Sequence, residues 1–283
     1  MTEAFIRNLK LLNAKERDHL MRFAYLGQST PYESTSTFLS IEADKRLRTH
    51  ALEMGLAESA KCVFAGMDYH LDWLFAAIWI AKTSPSWTAG DDSDRPSQAM
   101  ASHEAVADLK HLYTDFRSVS GSQEDVDLLV VYDDGNRLAV LFVEAKGSAS
   151  FDKVQLARKV IRLDRILVDS GMTSQENRLL EFRLILAAPY EPSFNCCLEH
   201  AKTLPRGKPG EPDKFSAMRV ALEGLHPSGI GKGLHFLKIT GFPKETYAVE
   251  RERRSPEFPG EANVVELDCK SGAFTHWALR KRS

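Results

Sequence analysis

One stretch constrains this chain more than any other: "EDVDLLVVYDDGNRLAVLFVEAKGS", residues 124–148. Two apolar runs flank Asp134-Gly135, a strong signal for a tight turn that needs positive φ. A chain carrying this segment builds a β-hairpin with little water around it. Yet charges gather at its open end. Glu124, Asp125 and Asp127 open the first run, and Glu144-Ala145-Lys146-Gly147 closes the second. Alternation along a strand puts Asp125, Asp127, Leu129 and Val131 on one face, and Phe142, Glu144 and Lys146 on one face. With Asp134-Gly135 at the centre of a two-residue turn, Asp127 lies opposite Phe142 and Asp125 opposite Glu144. Opposed residues share a face, so Asp125, Asp127, Glu144 and Lys146 converge. An odd-numbered loop would send the aspartates to the other face, so the convergence requires an even one.

Crowded carboxylates repel and raise each other's pKa unless a cation compensates. Lys146 offers one positive charge against two or three negative ones. The simplest further cation is a hard divalent ion with oxygen ligands and retained waters, which describes Mg²⁺, with Mn²⁺ as a substitute. Such an ion lowers the pKa of bound water and stabilises charge on a phosphate. Lys146 stands on the same face, where it can orient that water or stabilise developing charge. A plain surface ion pair, worth ~0–1 kcal/mol, leaves three same-face acids beside one lysine without a reason.

The surroundings read as a mixed α/β protein. Residues 3–26 and 42–82 carry helical spacing, the second through Ala60, Val63, Phe64, Met67, Leu71, Leu74, Phe75 and Ile78. A Ser-, Asp- and Pro-rich loop spans 83–97, and 97–116 is helix-like again. After the hairpin, Leu156, Val160, Leu163 and Leu167 mark a helix over 151–171, and "FRLILAAPY" (182–190) a strand. Residues 191–231 read as loop-heavy, with strands expected at 234–240, 263–269 and 273–280.

An aspartate on one strand, Glu-x-Lys on the next, then a helix and another strand resembles the PD-(D/E)xK nuclease superfamily, with its restriction-endonuclease-like fold. The matching residues are Asp127, Glu144 and Lys146, and the match covers roughly 124–188. Val126 stands where the motif's name has proline. The resemblance implies a restriction-endonuclease-like mixed sheet flanked by helices, with a helical N-terminal region and a β-rich C-terminal extension. It implies that Asp127, Glu144 and the Ala145 backbone carbonyl hold Mg²⁺, with Asp125 as an extra ligand. Lys146 then assists attack on a phosphodiester, and Gln155 orients the water or the lysine. His70 or Asp72 becomes an accessory residue, with Glu104 a weaker candidate for that role; Asp68 and Asp72 would share a helix face. The expected substrate is nucleic acid, most simply DNA, in defence or repair. The alternative is a catalytically silent nucleic-acid-binding or assembly subunit of the same fold.

The domain order expected is a mostly helical region at 1–96, whose later helix (about 58–82) packs on the core, a nuclease-like core at 97–190, and an extension of loops and β-strands at 191–283. Gln155, Arg158, Arg162 and Arg165 form a polar helical stripe that either meets phosphates or is a solvated face. Net charge is −2, so global charge announces no nucleic-acid partner. No apolar run reaches membrane-spanning length, and the N-terminus lacks a signal peptide's apolar core. Four cysteines without metal-ligand spacing fit a reduced, cytoplasmic protein. Phosphate-loop, G-x-S-x-G and H-E-x-x-H motifs are absent. A homodimer or partner protein is expected where both strands of a duplex are cut.

Overall fold

Strand β3, Leu138–Ala145, is the spine of the molecule: seven of its eight residues are buried, with only Ala145 exposed. A strand apolar on both faces must be central and covered on both sides. It pairs antiparallel with β2 (Asp125–Asp133) and parallel with β4 (Leu180–Ala188). β1 (Lys61–His70) lies antiparallel beyond β2, and β5 (His235–Lys238) parallel beyond β4. The result is a five-stranded mixed sheet in the order β1-β2-β3-β4-β5. The computed structural model describes residues 1–13, 18, 20, 39–87, 124–146, 151–170, 180–207, 213, 215–225, 234–239, 246–252 and 276–282.

Six helices occur among the described residues: α1 (Thr2–Leu12), α2 (Ile41–Glu53), α3 (Leu71–Thr83), α4 (Lys153–Asp169), α5 (Asn195–Thr203) and α6 (Ser216–Gly224). α4 is the crossover between the parallel strands β3 and β4, as such a connection requires. Its first turn is capped by Asp152, whose Oδ1 accepts from Val154 N at 2.9 Å and Gln155 N at 3.0 Å. One sheet face carries Leu129, Val131, Leu138, Val140, Phe142, Leu184 and Leu186, which join α1, α3, α4 and α6 in a single core. On the opposite face Tyr132 Oη donates to Asp44 Oδ1 of α2 at 2.9 Å. The sheet is therefore a middle layer between helices. Among the described residues no helix is long and apolar enough to cross a membrane.

The chain divides into two compact units, Met1–Lys238 and Ile239–Ser283. The second holds an antiparallel pair, β6 (Thr246–Glu252) and β7 (His276–Arg282).

The structure corrects several expectations. Residues 42–82 are not continuous helix: β1 occupies Lys61–His70 between α2 and α3. The 191–231 stretch contains two helices, and β6 arises where no strand was expected. The hairpin loop has four residues, 134–137, with Asp133 paired to Leu138. Asp134 N donates to Arg137 O at 3.2 Å, and Gly135 takes φ +91. The loop is even, so the faces stand as expected, but the register moves by two and Leu129 takes Phe142 as partner. The helix at 97–116, its Glu104 and the strand at 263–269 lie outside the described residues.

Candidate active site

β2 and β3 run out in acids at their shared end. Leu128 is the last paired residue of β2, opposite Val143, and the next row sets Asp127 across from Glu144. Here a side chain takes over from the backbone ladder: Asp127 Oδ2 accepts from Ala145 N at 2.6 Å. Lys146 N donates to Ala187 O at 2.8 Å on the β4 side. The N–H and C=O of one strand residue point to the same edge. Ala145, one residue earlier, therefore has its carbonyl on the β2 edge.

Glu144 is 1% exposed. Burial pushes its carboxyl pKa up, Lys159 opposes the rise by charge and hydrogen bond, Asp127 adds to it and Lys146 opposes it. Asp127 and Lys146 thus both sit close enough to Glu144 to bias its charge. Lys159, from the second turn of α4, is 4% exposed and donates to Glu144 Oε1. The charge balance differs from the one expected of the hairpin alone, because two acids now face two lysines. For a hard divalent ion the donors fit: Asp127, Glu144 and the Ala145 carbonyl are all oxygen. An ion at Glu144 would share that carboxylate with Lys159.

One turn further along α4, a second cation reaches the same end of the sheet. Arg162 is 2% exposed; its Nη1 donates to Glu124 Oε2 at 2.9 Å and its Nη2 to Asp72 Oδ1. Asp72, in the first turn of α3, also lies 3.9 Å from His70 Nδ1. Leu71 N donates to Glu124 O at 3.1 Å, fixing the start of α3 to the start of β2. Lys159 and Arg162 are thus two rivets between α4 and the strand ends.

Among the expected site residues, the structure gathers Asp127, Glu144, Ala145 and Lys146. Asp125 pairs with His70 on the β1 side rather than with Glu144. His70 and Asp72 belong to the Arg162 network. Asp68 does not share a helix face with Asp72, because it lies in β1 with φ +48. Gln155 is exposed in the first turn of α4, and among the described residues its side chain has no bond to the acids. Within the arginine stripe only Arg162 is interior, while Arg158 and Arg165 are half-buried. Lys159 is the residue that sequence reasoning missed. Its signal was a lysine three residues after Leu156 and four before Leu163, inside the apolar stripe.

No family model, curated protein or solved structure matches the chain.

Proposed function

We propose that the protein is a Mg²⁺-dependent nuclease of the PD-(D/E)xK type, acting on nucleic acid and most simply on DNA. The observation that carries the reading is the meeting of Asp127, Glu144 and Lys146 on one sheet face, with the Ala145 peptide turned toward Asp127. In this reading Asp127, Glu144 and the Ala145 carbonyl hold the ion. When bound, the ion supplies a water of lowered pKa and an electrostatic partner for the phosphate oxygens. Lys146 orients the attacking water and stabilises charge that develops on the phosphate. Lys159 holds the Glu144 carboxylate in place from α4, and Asp127 keeps its orientation through the Ala145 N–H. The restriction-endonuclease-like assignment of the sheet belongs to the same proposal.

One observation favours a second reading, a catalytically silent nucleic-acid-binding or assembly subunit. Lys159 already neutralises Glu144, as a purely structural ion pair would.

A cleavage assay separates the two. Supercoiled plasmid, linear duplex, single-stranded DNA and RNA are incubated with Mg²⁺ or Mn²⁺, with EDTA as control. The nuclease reading expects metal-dependent cutting that falls by about 10²–10³-fold in Lys146→Ala, the scale of losing one electrostatic stabiliser, and disappears in Glu144→Ala. Binding of nucleic acid without cutting on any substrate supports the silent subunit instead.

A further inference from the structure

The sheet face opposite Asp127 and Glu144 carries a second cluster of ligating side chains. His50 and Glu53 stand three residues apart at the C-terminal end of α2, the spacing that puts two side chains on one helix face. They meet His235, the first residue of β5. One potential ligand atom from each of the three lies within 4.8 Å of the others. His50 Nδ1 is 3.7 Å from Glu53 Oε2, and the two imidazole rings approach edge-on with centroids 5.9 Å apart.

A protein cation already lies against two members of this group, Glu53 and His50. Arg183 of β4 lies two residues before Ile185, the partner of His235, and so shares its face. Its Nη1 donates to Glu53 Oε2 and stands 3.5 Å from His50 Nδ1. Arg183 is 9% exposed, and its Nε is buried with no acceptor among the described residues. Glu53 thus already holds a cation at this spot, the Arg183 guanidinium, with which a metal ion would compete.

We propose that His50, Glu53 and His235 bind one zinc-class divalent transition-metal ion, with a fourth position left to water and Arg183 as the cation that the ion displaces from Glu53. Two imidazoles and one carboxylate form a mixed nitrogen and oxygen set that suits Zn²⁺ and not Mg²⁺. At Zn–N and Zn–O distances of about 2.0–2.1 Å, ligand atoms of a tetrahedral site stand roughly 3.3–3.4 Å apart. The His50–Glu53 separation is already close to that, and Glu53, 52% exposed, has room to adjust. The ion would tie the end of α2 to β5, a four-residue strand at the edge of the sheet. The site is independent of the nuclease reading, since it uses other residues on the other face.

Metal-stripped full-length protein is titrated with Zn²⁺ by calorimetry and with Co²⁺ by visible absorption. The expected result is one equivalent of Zn²⁺ per chain, tetrahedral cobalt bands and a Tm that rises on Zn²⁺ addition. His50→Ala and His235→Ala each weaken Zn²⁺ by more than the roughly 10–100-fold that losing an outer-shell partner costs. Glu144→Ala leaves Zn²⁺ binding unchanged, which separates this site from the hairpin. Arg183→Met removes the competing charge and tightens binding. If either alanine variant fails the circular dichroism check for folding, His50→Gln and His235→Asn replace them. Folded wild type that binds no Zn²⁺, binding that survives both histidine replacements, or binding weakened by Arg183→Met overturns the site.

Discussion

Lys159 lies on the buried side of α4 and is tolerated there because Glu144 meets it. Taking both charges out of water costs nearly as much as their attraction returns, so the pair as a whole contributes little net stability. Removing one partner is different, because it leaves the other charge buried alone. Lys159→Met should lower stability by about 3–5 kcal/mol, the usual range for a broken buried pair. The double variant Lys159→Met with Glu144→Gln should recover most of that loss, since no lone charge remains. Urea unfolding of the two variants checks this; equal midpoints would show that the cost lies in packing and not in charge. The same residue shows what the sequence disclosed of the site. Asp127, Glu144 and Lys146 were legible because side-chain alternation depends only on the parity of the hairpin loop, and a shift of two residues keeps parity. Lys159 was not, because a lysine among Gln155, Arg158, Arg162 and Arg165 reads as one more solvated charge. Only the helix rotation distinguishes it, and a lysine inside an apolar stripe can equally snorkel to water.

At the scale of elements, β1 was the least legible part of the fold. Its buried positions do not alternate: a bulge between Cys62 and Phe64 shifts the register by one residue, and Phe64, Ala65 and Gly66 are buried in a row. The strand then passes into α3 at His70–Leu71 without a connecting loop. A run of apolar residues without period 2, fused to a true helix, satisfies three-and-four spacing over its whole length. The β2–β3 turn is the opposite case, where sequence chemistry and structure agree. Asp134 Oδ1 accepts from Asn136 N at 2.9 Å and Arg137 N at 2.8 Å, and its Oδ2 from Ala57 N at 3.0 Å. One carboxylate thereby closes the turn and pins the chain leading into β1. Partial burial pushes its pKa up, but the three backbone donors and Arg137 together hold it below the usual aspartate value. A lowered folded-state pKa means stability that is present above the unfolded pKa and lost as pH falls through the folded one. Asp134→Ala should therefore cost about 1–2 kcal/mol at neutral pH, the scale of lost side-chain caps and turn bonds. The difference from wild type should shrink as pH drops below the unfolded aspartate pKa. Thermal unfolding of both proteins across that window tests the sign; a gap that widens in acid contradicts it.

At the scale of the whole molecule, all five strands of the mixed sheet and all six described helices lie within Met1–Lys238. Both groups of residues considered as sites lie there too. The described members of the core that joins the sheet to α1, α3, α4 and α6 lie in this unit. Ile239–Ser283 contributes one antiparallel pair among the described residues, and a two-stranded pair by itself is marginally stable in water. A cooperative transition reports the unit that owns the buried apolar surface. A chain ending at Lys238 should therefore unfold in one cooperative step, with calorimetric and van't Hoff enthalpies in agreement. Its midpoint should stay within a few degrees of the full chain's, because a shift of that size corresponds to about 1 kcal/mol in a protein this large. Differential scanning calorimetry of the two chains decides the matter. A truncated chain with no cooperative transition would mean that the five-stranded sheet depends on the second unit for its stability. An unchanged transition, with Zn²⁺ response and any cleavage retained, would assign both chemistries to the first unit alone.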